Sequence, residues 1–202
     1  ILPDPVAAAP GICINGDTTG GANQTLNSLT ASESGYTAIW SDSRDGNLGL
    51  YLGILPKGVD QADDGIPIHL PRASRQVRPS IAQFSNPTGG IGGAVVWTAL
   101  SGKGASATLR LFDERAPKED IFTSGPIPMG AVASSTTSQV APVEGGTGLA
   151  AWIRGDAVTA LTLTHNAQTG KTRTGEAFTL VESIAGAKGN FLMALNDRGK
   201  VL

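Results

Sequence analysis

The chain has a single cysteine, Cys13, among its 202 residues, so no disulfide can form within it and it must rely on packing. The plain reading of Cys13 is a small buried apolar residue, with an intermolecular or reactive thiol as the alternative. No apolar run reaches the roughly 18–20 residues that a membrane-crossing helix needs, so no membrane insertion of that kind is expected. Charge is scarce: Asp, Glu, Lys and Arg make up 16% of the chain, with a net charge of −2, against a usual charged share of about 25%. Without a basic excess there is no general polyanion binder here, and no nucleic-acid partner is expected. The segment Ile1-Leu2-Pro3-Asp4-Pro5 has neither a basic start nor a long apolar stretch, so it is no intact signal peptide; a signal removed earlier and an internal stretch of a longer chain both agree with it.

Catalytic and metal patterns are also missing. His69 and His165 stand alone, without Cys, Asp or Glu at ligand spacing. There is no Gly-x-Ser-x-Gly elbow and no phosphate loop, and no cofactor is expected. Acids such as Glu33, Asp113, Glu114, Glu119 and Glu144 are present, but no spacing selects the opposed pair that a glycosidase needs. Tyr36 and Tyr51, the only tyrosines, fall in strand positions expected to pack. Aromatics are 5% of the chain and the tryptophans fall in apolar strands, which weighs against a ring-stacking sugar site.

What is abundant is glycine: 27 residues, about twice the average share. With few of the long straight side chains that favour helices, this composition suits turn-dense β-structure. Trp40, Trp97 and Trp152 each close an alternating apolar run and stand 57 and 55 residues apart, a period typical of repeat architectures. Three further markers accompany them. A glycine opens a short strand at Gly11-Ile12-Cys13-Ile14, Gly65-Ile66-Pro67-Ile68, Gly125-Pro126-Ile127-Pro128 and Gly175-Glu176-Ala177-Phe178. A strand opens at Gln24-Thr25-Leu26-Asn27, Gln76-Val77-Arg78-Pro79 and Gln139-Val140-Ala141-Pro142. An alternating strand follows each tryptophan, at residues 48–52, 108–112 and 158–163. The segment Ile91-Gly92-Gly93-Ala94-Val95-Val96-Trp97 reads as a strand buried on both faces.

Four short strands per unit of about 50 residues, with no helical pattern, predict an all-β chain and a β-propeller of four-stranded antiparallel blades. A plain β-sandwich is the alternative, but it has no reason to repeat four distinct markers in order. The expected units are 15–68, 69–128, 129–180 and a partial unit at 181–202, with 1–14 as the outer strand of a preceding or closing blade. The partial unit carries a strand at 190–195 and a turn at 196–199 but no credible third strand. Propellers have about four to eight blades. The expectation is therefore a piece of a larger ring, against a small ring closed by the N-terminal strand.

Trp40-Ser41-Asp42-Ser43-Arg44-Asp45-Gly46-Asn47, followed by Leu50-Tyr51, resembles the W-x-D-x-R-x-G hairpin of bacterial exported propeller repeat proteins. Asp63-Asp64-Gly65-Ile66-Pro67-Ile68 and Gln76-x-x-Pro79 are similar to that family's next markers. The resemblance is strong over roughly residues 36–97 and fades in the third unit, where Trp152-Ile153-Arg154-Gly155-Asp156 keeps only the tryptophan and a polar turn. It implies a broadly sialidase-like or TolB-like propeller with an extracellular, cell-surface or periplasmic location. The sialidase Asp-box itself is not met, since Ser43-Arg44-Asp45-Gly46 places the glycine one position early.

In such a blade the turn after the tryptophan strand and the connection to the next blade emerge on one face. That face gathers the candidate binding residues Asp42, Arg44, Asp45, Arg72, Arg75, Arg78, Arg154 and Asp156, with Asn47, Lys103, Asp197 and Arg198 beside them. Arg72, Arg75 and Arg78 have no acid between them, and guanidinium groups bind carboxylates and phosphates bidentately. The plain alternative is a solvated loop whose arginines pair with nearby acids. Asp42, Asp45 and Asn47 do not meet calcium-loop spacing, and a capped turn with Gly46 at positive φ explains them more simply. The expected function is a non-catalytic module that binds a protein partner or a neighbouring subunit through this face or through open sheet edges. The alternative is a carbohydrate-active propeller, either a lectin-like binder of acidic glycans or part of a sialidase-like glycosidase.

Overall fold

The structure, a computed structural model, describes residues 23–32, 35–44, 46, 48–59, 65–68, 75–85, 91–166 and 168–184. The expected strands at 11–14 and 190–195, and Cys13, His69, Asp197 and Arg198, lie outside the described residues. Among the described residues twelve strands form three antiparallel sheets of four, each in simple chain order. The first sheet holds β1 (Gln24–Ser32), β2 (Gly35–Asp42), β3 (Gly49–Pro56) and β4 (Ile66–Pro67). The second holds β5 (Arg75–Ser85), β6 (Ile91–Ser101), β7 (Gly104–Asp113) and β8 (Ile127–Val132). The third holds β9 (Gln139–Val143), β10 (Thr147–Arg154), β11 (Ala157–Asn166) and β12 (Lys171–Val181). The all-β class and the four-stranded antiparallel sheets are as the repeat markers predict. Among the described residues the one helical turn is a 3₁₀ turn at Lys118–Asp120.

The second strand of every sheet carries the tryptophan, and all three indoles are buried. Side chains alternate across a strand, so each sheet has two faces, and equivalent positions do equivalent work. On β6, Val95 and Trp97 pack with Ile39, Leu50 and Leu52 of the first sheet. The intervening Ala94 and Val96 pack with Val140, Ala150 and Trp152 of the third. Trp152 thus faces the second sheet as Trp97 faces the first. In the third sheet Leu149, Ala151, Val158 and Ala160 occupy the positions that Ala94, Val96, Ala107 and Leu109 hold in the second. In the first sheet, Ala38 and Trp40 with Tyr51 lie on the side turned away from the second sheet. The two contacts are therefore equivalent: the second sheet meets the first, and the third meets the second, each through its tryptophan face. The first strands of successive sheets lie side by side, β1 against β5 and β5 against β9.

Close approach explains the glycines of β6. A Cβ at Gly92 would meet the His165 ring of the third sheet, and one at Gly93 would meet Phe112 of β7. Small residues here let two layers pack on one strand. Polar groups cross the interfaces as well: Leu50 N–H donates to Gln76 Oε1 at 3.1 Å and Val140 N–H to Ser80 Oγ at 3.2 Å, while Thr98 Oγ1 donates to the carbonyl of Thr136, in the connection between β8 and β9, at 2.9 Å. Two details depart from the sequence reading. Tyr36, expected to pack, is 48% exposed: it shares the face of Ala38 and Trp40, which is turned away from the second sheet. The glycine marker at Gly175 does not open β12 but lies within it, where the register with β11 shifts between Leu161 and Leu163; a bulge, rather than a strand start, uses that glycine.

Candidate functional site

The turns β2–β3, β6–β7 and β10–β11 and the connections that lead into β5 and β9 lie at one end of the sheets, as the pairings Arg75↔Leu100, Ser101↔Gly104 and Arg154↔Ala157 show. Two of the candidates found here, Asp42 and Arg44, form a closed network. Asp42 Oδ2 accepts from Arg44 Nε at 2.8 Å and Nη2 at 2.5 Å, from Gln24 Nε2 at 3.0 Å and from Trp40 Nε1 at 3.3 Å. Its Oδ1 accepts the Arg44 N–H at 2.8 Å, closing a turn over which Gly46, at φ 80, donates to the Ser43 carbonyl. The guanidinium lies 4.7 Å from the Tyr51 ring, and Tyr51 stacks on Trp40 at 6.2 Å. Burial pushes the Asp42 carboxyl up, but the hydrogen bonds from Arg44 and Trp40 more than offset it and hold the group below its ordinary value. The Trp-x-Asp-x-Arg pattern thus locks a hairpin.

Arg75, Arg78, Lys103, Arg154, Asp156 and Glu182 are exposed at the same end, and among these described residues bases outnumber acids, on a chain whose net charge is −2. Arg78 is unusual in its backbone: it has φ 52 and sits in the bulge where the β5–β6 register shifts between Val77 and Ser80. Non-glycine residues rarely adopt this left-handed region, and the bulge re-aims the side chain so that Arg78 Nη1 donates to the Ser134 carbonyl at 2.7 Å. Asp45, Asn47 and Arg72 lie outside the described residues. Among the described residues no three His, Cys, Asp or Glu side chains gather as a metal site would require. No helix among them is long and apolar enough to cross a membrane.

The opposite end carries a second polar centre. Glu114, just past β7, accepts through Oε1 from the Thr37 hydroxyl of β2 and the Gln83 amide of β5, while Gln83 Nε2 also donates to Thr37 Oγ1 at 2.8 Å. Beside it lies a cleft of about 300 Å³, lined on one side by Leu52, Ile54, Pro56, Val59 and Ile66 and on the other by Ala116, Lys118 and Ile121. Sequence reasoning noted Glu114 only as an unassigned acid. Its partners are 77 and 31 residues away, and no local spacing reports such a meeting. His165 is also at this end, buried to 2% exposure, with Nδ1 sharing a hydrogen bond with Thr172 Oγ1 at 3.0 Å. Burial pushes its imidazole below the ordinary value, the nearby Asp113 raises it and Arg115 lowers it. No known protein family and no curated protein matches the chain.

Proposed function

We propose that the three sheets are blades of a β-propeller of the exported bacterial repeat kind, and that it serves as a non-catalytic interaction module outside the cytoplasm or at the cell surface. What supports the propeller is the head-to-tail stacking with equivalent faces, since such a heterologous contact either closes into a ring or continues indefinitely. The observation that carries the functional reading is the basic turn end. Arg75, Arg78, Lys103 and Arg154 stand exposed there on a rigid scaffold, while the Asp42–Arg44 pair is spent on holding its hairpin. Exposed guanidinium and ammonium groups on loops suit an acidic surface of a protein partner or neighbouring subunit.

The test is site-specific photo-crosslinking in the producing cell, with the crosslinker at position 103 or 154 and, as a control, at position 57 on the opposite end. Discrete adducts from 103 and 154, lost in the Arg75→Glu/Arg78→Glu protein, are expected. Adducts equally strong from 57, or none from the turn end, would remove this face as the docking surface. A parallel screen against sialylated and uronate glycans addresses the carbohydrate-active alternative. Saturable glycan binding lost in Arg75→Ala and Arg78→Ala would favour it.

A further inference from the structure

The outer edge of the third sheet differs from those of the other two. In each sheet the residue opposite the tryptophan (Tyr51, Thr108 or Thr159) has a partner on the fourth strand, and these partners are Pro67, Pro128 and Thr179. Ile68 N–H donates inward to the Leu50 carbonyl, so Pro67, one residue earlier, turns its backbone to the outer edge, where proline removes a pairing donor. β4 has two residues and β8 six; short strands and prolines are common guards of an edge. β12 has neither guard. It runs for 11 residues without proline, and residues 173–179 are all exposed, with Phe178 at 41%. Gly175 has no side chain, so its exposure is that of the backbone itself. Among the described residues no strand pairs with the outer side of β12.

The register fixes which backbone groups of β12 point outward. His165 N–H donates to the Gly146 carbonyl, away from β12, so Thr172, opposite it, turns its own N–H and C=O outward. Alternation gives the same direction to Thr174, opposite Leu163, and, past the bulge, to Ala177 and Thr179, opposite Leu161 and Thr159. These four positions are symmetric about the bulge at Gly175 and Glu176. A second β12 laid antiparallel brings Thr172 opposite Thr179 and Thr174 opposite Ala177, and each such pair exchanges two hydrogen bonds, about eight in all. Any other register keeps at most half of these pairs. The side chains agree: Thr meets Thr or Ala, and on the other face Arg173 comes opposite Phe178 of the second copy, with Glu176 of that copy diagonally beside it. We propose that β12 is a self-pairing edge, through which two copies of this chain join their third sheets into one continuous antiparallel sheet. This edge is separate from the basic turn end, and the proposal does not rest on the turn-end reading.

The test is sedimentation velocity of the whole protein from about 5 µM to 1 mM, with amide hydrogen exchange read by NMR at both ends of that range. A contact confined to one edge is small, so a dimer Kd of about 10 µM–1 mM is expected, the mass rising from 20.6 kDa toward twice that value. The amides of Thr174, Ala177 and Thr179 should exchange quickly in the dilute monomer and at least about twofold more slowly at the high concentration. The inward amides of Arg173 and Phe178 should not change. Ala177→Pro removes one outward donor, leaves the pairing to β11, and should weaken the dimer at least about tenfold. Arg173→Glu, a surface change that sets a carboxylate beside Glu176 of the second copy, should weaken it at least about threefold. Native tryptophan fluorescence checks the fold of both variants. A monomer at every concentration, a dimer unchanged in either variant, or slowed exchange that maps elsewhere would each overturn the proposal. So would protection of these amides already in the dilute monomer, because another part of the chain would then hold the edge.

Discussion

Gly65 lies against the six-membered ring of the Trp40 indole: a methyl group added there would stand 2.5 Å from ring atom Cη2. Its backbone is also left-handed, at φ 78. Gly65→Ala therefore combines overpacking, worth about 1–3 kcal/mol, with a left-handed penalty of about 1 kcal/mol. Gly58→Ala separates the two, since Gly58 has φ 82 but open space around its would-be Cβ. Urea unfolding followed by tryptophan fluorescence should show Gly65→Ala losing about 1–3 kcal/mol more than Gly58→Ala. Equal losses would mean that the indole is not held against the glycine.

Asp42 has no exposed side-chain surface and Arg44 has 22%, so removing the carboxylate charge strands a mostly covered guanidinium. Asp42→Asn should cost about 2–4 kcal/mol, below the full figure for a wholly buried pair because Arg44 keeps some water. The folded carboxyl lies below its ordinary value. The unfolded state therefore takes up its proton first, at a pH of about 3.9, and the stability present above that pH is lost as pH falls toward the folded value. Chemical denaturation between pH 6 and pH 3, compared for the native protein and Asp42→Asn, reads this directly: the acid slope should be shallower in the variant.

The alternation and glycine punctuation that mark strands are local, and they made much of the fold legible. The all-β class, the order of four strands around each tryptophan and the two-sided burial of β6 could all be read from Ala94-Val95-Val96-Trp97 and its counterparts. Face-to-face packing is not local. Glu114 meets Thr37 and Gln83, and Gly92 meets His165, only because whole sheets stack, and no spacing within one strand encodes that. Asp42 and Arg44 were legible as a polar turn but not as partners, since the choice between facing solvent and closing on Trp40 depends on Gln24, from another strand. The left-handed backbone at Arg78 left no mark in composition; Arg-Pro gives no reason to expect it.

Gly148 shows the same close approach between the second and third sheets, with a would-be Cβ 2.8 Å from Phe84 Cε1. Both sit in the core shared by these sheets, where Phe84 is 1% exposed. Gly148→Ala should cost about 1–3 kcal/mol, and Phe84→Leu, which withdraws the ring edge, should recover part of it. A double-mutant cycle should give a coupling of at least about 0.5–1 kcal/mol. Additive losses would show that the sheets separate around the added methyl rather than clash through Phe84.

His165 gives the interface between the second and third sheets a pH dependence with a defined sign. The ring is buried against Gly92 and Thr172, and its Nε2 has no hydrogen-bond partner among the described residues, so a proton added there enters a site that cannot solvate it. Burial outweighs the attraction of Asp113, and the folded imidazole titrates below its ordinary value. In the unfolded chain the same ring takes up a proton near pH 6.5. The unfolded state then binds more protons than the folded state below that pH, and stability falls as pH drops from about 6.5 toward the folded value. Urea midpoints measured from pH 8 to pH 5 should decline across that window, and His165→Gln, which cannot titrate, should flatten the decline while lowering stability at pH 8. An unchanged slope in the variant would assign the acid sensitivity to other groups and leave His165 a packing residue only.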